Sequence, residues 1–443
     1  MKILFGVEFY YPSVGGAQEV VRQLAERLVA RGHDVTVATS RLATRDFTQR
    51  RGVKIAEFNI GGNLVRGIQG DVASYREHLI DADYDVVFFY AAQQWTFDAA
   101  WDALDRIKAR KVLVPCGYSG LFESAYREYF EKLPEVLKAM DAVIYHTDVY
   151  RDVNFARSLG LTNGALVPNA ADGEEFDVPR DPGFRERIGA GENDFMIMTV
   201  GTITGMKGHI ELVQAFARLD LADPQRKALL ILNGNQPERA GRRASVFRTI
   251  FSLIKECGLL YAAKHLPKLV LRHFGWQVGR MASINDWVQS INRQQAERKK
   301  VVAIDLPRAE LIQAYLNADL FVFASNVEYS PLVLFEACAA GLPFLSVPVG
   351  NSAEIADWTG GGEICPAEVD QRGYSHVDPA LLARHIAALA ANPERLERLG
   401  NQGRATSRRR YNWASIVGEY EAILKRLVSK REARPAAAGV SAP

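Results

Sequence analysis

At 443 residues the chain is long enough for two domains of ordinary size, each with a core of its own. Lys and Arg number 54 against 52 Asp and Glu, a net charge of +2, so the global charge does not select nucleic acid as a partner and none is expected. Cys116, Cys257, Cys338 and Cys365 are scattered, without the C-x-x-C spacing of a zinc or redox site, and read as reduced thiols of a cytoplasmic protein.

The first elements form a βαβ unit. Ile3–Val7 is a short apolar strand that breaks at Glu8, too short for a signal peptide. A loop through Tyr10 to Gly16 leads into a helix over Ala17–Arg31, with Val20, Val21, Leu24, Leu28 and Val29 at helical spacing. Gly32 ends the helix and Val35–Ala38 is the next strand. The G-x-G-x-x-G of a dinucleotide fold is missing. Gly15 and Gly16 instead let backbone approach a ligand at a helix start, although a plain tight turn explains them equally. Further strands are predicted at Lys54–Phe58, Val86–Tyr90, Val112–Val114 and Ala142–Tyr145. His146 follows the last of these and reads better as a loop or helix-start residue than as a ligand contact.

A second α/β domain opens with the strand Phe195–Val200. The turn Gly201–Gly208 then precedes a helix over His209–Leu219, which places glycine backbone and Lys207 at a helix N-terminus, a setting for a diphosphate; the plain alternative is a surface lysine in a turn. After the strand Ala228–Leu232 comes an insertion, residues 237–300, in which Arg242, Arg248, Lys255 and Arg272 are interleaved with Phe247, Ile250, Phe251 and Leu260. It reads first as helices packed on the domain with a solvated basic face, and second as a surface for an anionic membrane. No run is apolar and long enough to span a bilayer.

The stretch Ala324–Pro348, with the strand that leads into it, carries the chemistry. Leu320–Ala324 reads as a buried strand, Ser330 as an N-cap and Pro331 as the first helical residue, with Gly341 closing the helix. The N–H groups of Leu332 and Val333 then form an anion site at the carboxyl end of a strand. Glu336 is a carboxylate in an otherwise apolar helix, and burying that charge requires partners, which a ligand's hydroxyl groups could provide. Glu328, at the strand end, would face the same ligand. The plain alternative has Glu336 capping a loop and Glu328 solvated. Helices over Pro379–Ala391, Pro393–Thr406 and Trp413–Val428 follow, and the Lys/Arg/Pro/Ala-rich tail is expected to be disordered.

Glu328 and Glu336 with seven residues between them, the run Glu336-Ala-Cys-Ala-Ala-Gly-Leu-Pro343 and the run Val349-Gly-Asn-Ser-Ala-Glu354-Ile together resemble glycosyltransferase family 4. That resemblance implies the GT-B fold: two Rossmann-like doubly wound domains facing a central cleft, with the last helix crossing back to the first domain. Residues 1–175 would be the acceptor domain and 185–408 the nucleotide-sugar domain carrying the insertion; 409–430 would be the returning helix and 431–443 the tail. It implies a retaining hexosyltransferase that moves sugar from a UDP- or GDP-sugar to a glycan or lipid-linked acceptor, in polysaccharide, lipopolysaccharide or glycolipid synthesis, with no metal and no cofactor.

Carried over by position, Glu328 binds hydroxyls of the donor sugar, Lys207 the leaving diphosphate and Glu336 the ribose. Gly201, Gly208, Ser330, Leu332, Val333, Gly15 and Gly16 complete the donor surroundings. Arg31-Gly-His33 matches the family's helix end, with His33 as a cap, and Val167–Asp172 its interdomain segment. That segment has Asn169-Ala170 where the family usually has Asn-Gly. Two further positions depart from the pattern: Cys116 stands for the usual histidine and Thr202 for the usual arginine, so Cys116, Tyr118 and Ser119 become the candidates for sugar contact. The same departures suit an alternative, a catalytically degenerate scaffold that binds through the insertion. A pyridoxal-type phosphorylase or an epimerase on the same scaffold is a further alternative.

Overall fold

The structure is a computed structural model that describes residues 1–203, 205–234 and 284–432. Most of the basic, apolar insertion and the terminal tail lie outside the described residues; within it, residues 284–294 are helical. The chain divides into two compact units. The first comprises Met1–Ala171, Tyr329–Leu332 and the chain from Arg409 on, and the second comprises Asp172–Glu328 and Val333–Arg408.

The first unit is built on strands β1 (Lys2–Gly6), β2 (Asp34–Ser40), β3 (Gln49–Arg50), β4 (Val53–Phe58), β5 (Ile60–Asn63), β6 (Gly67–Gly70), β7 (Val86–Tyr90), β8 (Arg110–Val114), β9 (Ala142–Tyr145) and β10 (Gly164–Leu166). Its main sheet runs β10-β9-β8-β7-β1-β2-β4-β3 and is parallel except for the β3/β4 edge, while β5 and β6 form a separate hairpin. Helices cover both faces of such a sheet, so its strands are apolar throughout: all five residues of β7 are buried. The helix Gly16–Ala30 turns Val20, Val21, Leu24 and Leu28 onto one face of the sheet. The terminal helix Trp413–Glu432 adds Trp413, Ile416, Val417, Tyr420 and Leu424 to that same core. It is pinned at its flank, where Glu421 accepts from Arg31 Nη1 at 3.0 Å and pairs with His33 Nε2 at 2.8 Å.

The second unit has a six-stranded, all-parallel sheet of β11 (Phe195–Val200), β12 (Ala228–Asn233), β13 (Lys299–Ile304), β14 (Leu320–Phe323), β15 (Phe344–Ser346) and β16 (Gly362–Ile364). Its order is β13-β12-β11-β14-β15-β16. The chain therefore winds outward from β11 in one direction, returns, and winds outward from β14 in the other. Each unit is a Rossmann-like doubly wound α/β sheet. Such sheets bind ligands in the crevice where the winding reverses, beyond the carboxyl ends of the two central strands. In the second unit those strands are β11 and β14.

Candidate active site

Two loops meet at that reversal, Gly201–Gly208 after β11 and Ala324–Glu328 after β14. Backbone bonds them together, Asn326 N to Met206 O at 3.1 Å. Gly208 has φ +67°, and a Cβ there would lie 1.7 Å from the Ala324 carbonyl oxygen, so no other residue fits. Gly201 is held differently: its carbonyl packs on Gly234, where an added Cβ would approach to 2.0 Å. The helix His209–Arg218 starts directly after Gly208 and presents its N-terminus to the same crevice.

Lys207 Nζ donates to Glu328 Oε1 at 2.5 Å, and Ser325 Oγ donates to the same oxygen at 3.2 Å. Their side chains are 31% and 18% exposed, so the pair is open to a ligand without being fully solvated. His209 lies beneath this turn and was missed in the sequence. Its ring is buried and neither nitrogen has a hydrogen-bond partner among the described residues. Burial, and secondarily the Lys207 charge, lower its pKa to about 4, so the imidazole is neutral at pH 7.

The helix that follows Glu328 spans Leu332–Ala340, so Pro331 stands just before it and is not its first residue. Leu332 and Val333, half-buried, open it. Ser330 is not a side-chain cap. Its hydroxyl is buried without a partner among the described residues, and its carbonyl accepts from Asn169 Nδ2 at 3.2 Å, which commits the residue to the first unit's framework. Glu336 also differs from expectation, because its charge is already met within the chain. Arg308 Nη1 lies 2.7 Å from Oε1, and the Tyr315 hydroxyl donates to Oε2 at 3.1 Å. Burial raises the Glu336 pKa, and the Arg308 charge and these hydrogen bonds oppose the rise. Arg308 had a signal in the sequence, a cation at the first position of a helix, where the dipole disfavours it unless a carboxylate is near.

In the first unit, Gly15 caps the helix Gly16–Ala30 with extended backbone, and a Cβ added to Gly16 would meet nothing within 4 Å. The chain's own packing therefore does not demand glycine at Gly16. The preceding loop is fastened by the buried guanidinium of Arg45, which donates to the carbonyls of Tyr10 and Tyr11 at 2.9 and 2.8 Å. At the carboxyl end of β8, Cys116, Gly117 and Tyr118 all have left-handed backbone, with φ of +59°, +86° and +48°. This turns the Tyr118 ring inward against Phe130 and Phe155, where it is 1% exposed. Tyr118 is thus a core residue, unavailable to a sugar. Ser119 is exposed and donates to Gln93 Oε1 at 3.2 Å; Cys116 is half-buried, with burial pushing its thiol pKa up. His146 does not reach outward either. Its Nδ1 donates to the Val167 carbonyl at 2.8 Å and its Nε2 accepts from Tyr90 at 2.9 Å, a neutral ring whose pKa burial lowers to about 4.

Tyr329, next to Glu328 in the chain, belongs to this unit. Its hydroxyl accepts from His146 N at 3.1 Å and bonds to the buried Asp152, and its ring leaves no room for a Cβ on Gly117. Among the described residues no group of three or more His, Cys, Asp or Glu side chains could hold a metal ion, and no helix is long and apolar enough to cross a membrane.

Residues 14–172 match the model of the family described as Glycosyltransferase Family 4, and residues 291–406 that described as Glycosyl transferases group 1. Similar solved structures include sucrose-phosphate synthase from Thermosynechococcus elongatus, 17% identical over 97% of this chain and 99% of that one, with a TM-score of 0.69. Anabaena HepE in complex with UDP and glucose is 15% identical over 96% of this chain and all of that one, with a TM-score of 0.65. WaaG, a glycosyltransferase involved in lipopolysaccharide biosynthesis, is 16% identical over 95% of this chain and 99% of that one, with a TM-score of 0.59. No curated protein matches by sequence. With both halves of the chain matched and both sheets wound alike around a reversal point, the chain belongs to glycosyltransferase family 4 and is a glycosyltransferase of GT-B fold.

Proposed function

We propose that the protein is a retaining hexosyltransferase that takes its sugar from a UDP- or GDP-sugar and passes it to a hydroxyl of a glycan or lipid-linked acceptor. The observation that carries this reading is the Lys207–Glu328 pair at the reversal of the second sheet, beside the N-terminus of the helix that starts after Gly208. As the bond from the anomeric carbon to the diphosphate breaks, negative charge grows on the leaving oxygen, and Lys207 with the helix N-terminus would stabilise it. The acceptor oxygen forms the new bond on the same face of the sugar, and its proton goes to the departing diphosphate. Drawing Lys207 onto the diphosphate frees the Glu328 oxygen to accept from sugar hydroxyls, and Glu336 accepts from the ribose.

HepE, solved with UDP and glucose, supports a nucleotide-sugar donor by likeness of fold. WaaG supports a role in surface glycan or lipopolysaccharide synthesis in the same way. Work at the cytoplasmic face of a membrane, with the basic insertion as the contact, is part of the proposal. Thr202, in place of the usual arginine, favours a second reading, a catalytically degenerate scaffold that takes no nucleotide sugar and binds through its insertion.

Saturation-transfer NMR against UDP- and GDP-sugars, with wild type and Lys207→Met, separates the two. One donor should bind wild type and weaken about tenfold or more in the variant, as loss of a charge-assisted contact predicts. A folded wild type that binds none of the donors leaves the scaffold reading in place.

A further inference from the structure

Arg308 opens the helix Arg308–Asn317, where the helix itself disfavours a cation. Two carboxylates hold it there. Glu336 Oε1 is 2.7 Å from Nη1, Glu175 Oε2 is 3.1 Å from Nε, and the Phe176 ring lies 5.6 Å from the guanidinium. Seven positions along the same helix, Tyr315 donates to the other Glu336 oxygen, and Tyr315 is itself immobilised: it is 1% exposed and stacked on Phe321 with ring centroids 5.5 Å apart. One helix therefore grips both oxygens of Glu336. Each oxygen keeps a further lone pair, and the side chain is 18% exposed, so the carboxylate is oriented without being used up.

We propose that Arg308 is the positioning residue of the donor's nucleoside subsite, holding Glu336 with Tyr315 in the one orientation that meets the vicinal hydroxyls of ribose. This rests on the reading of Glu336 as the ribose acceptor. Arginine suits the task because its planar fork reaches Glu175 and Glu336 at once, which a lysine ammonium does not.

Calorimetric titration of the full chain with UDP, GDP and pyrophosphate tests it, using wild type, Arg308→Met, Arg308→Lys, Glu336→Gln and the double variant Arg308→Met/Glu336→Gln. Arg308→Met should weaken the preferred nucleoside diphosphate about tenfold. Pyrophosphate, which has no ribose, should bind as to wild type. Arg308→Lys should recover part of the loss, and the double variant should be no weaker than the weaker single one. Loss of pyrophosphate binding in step with nucleotide binding would make Arg308 merely structural and overturn the proposal. So would an Arg308→Met protein that binds nucleotide like wild type, and in that case the ribose role of Glu336 stands if Glu336→Gln alone weakens binding. A wild type that binds pyrophosphate but neither nucleotide overturns both readings together.

Discussion

At Gly208 a single missing methyl group decides whether the two loops of the candidate site can meet. A Cβ at 1.7 Å from the Ala324 carbonyl oxygen must push the loops apart, and the left-handed backbone adds its own strain. Gly208→Ala should lower stability by about 2 to 4 kcal/mol in denaturant unfolding and abolish donor binding; a change within 0.5 kcal/mol would mean that the loop relaxes. At this scale the sequence was legible where residue type governs placement, as for Lys207 and Glu328, expected in one crevice and brought to 2.5 Å of each other. It was misleading where a backbone angle decides. The type of Tyr118 suits a sugar contact, but three consecutive left-handed residues send its ring into the core. Arg308 was not read, because its partner lies 28 positions away in the chain and nothing local ties the two.

Among elements, the central strands were legible from composition alone. Val86–Tyr90 is apolar at every position because helices cover both sides of the sheet. The hairpin of β5 and β6 was not, since Ile60–Asn63 and Gly67–Gly70 are half glycine and show no alternation. The terminal helix is expected over Trp413–Val428 and His33 only as a cap of the first helix, so the tie between the two is a finding of the structure. Glu421 is the centre of that fastening: its bonds to Lys425, His33 and Arg31 hold its pKa down at about 2. A carboxylate whose pKa falls on folding stabilises fully above the ordinary glutamate range and loses that contribution as pH falls toward the folded value. Glu421→Gln should therefore unfold at a lower temperature than wild type at pH 7, with the gap closing between about pH 4.5 and pH 2. A constant gap over that range would show that the charge is not what holds the helix.

For the molecule as a whole, stability changes with pH wherever a group's pKa changes on folding, and buried carboxylates contribute to it. Asp98 and Asp152 are the clearest of these. Burial raises both to about 6, against hydrogen bonds from Tyr129 and Leu64 N to the first, and from Tyr329 and Gly117 N to the second. Here the sign is opposite to that of Glu421. The folded state binds protons more tightly than the unfolded chain, so stability should fall as pH rises from about 4 to about 6. Paired Asp98→Asn and Asp152→Asn substitutions should flatten that slope in thermal unfolding across the interval, and an unchanged slope would exclude both groups as its source.

Tyr329–Leu332 belongs to the first unit although Glu328 before it and Val333 after it belong to the second. The eight-residue step from Glu328 to Glu336 is thus shared property, and the units cannot be exchanged as simple cassettes. A chimera assembled from two relatives by cutting once near Ala171 would pair a foreign Tyr329 pocket, made by Gly117, His146, Tyr150 and Asp152, with a native Tyr329. The transplant that respects the fold has three junctions beyond Ala171, carrying residues 329–332 and the chain from Arg409 along with the first unit. A first unit grafted any other way arrives with its anchor missing.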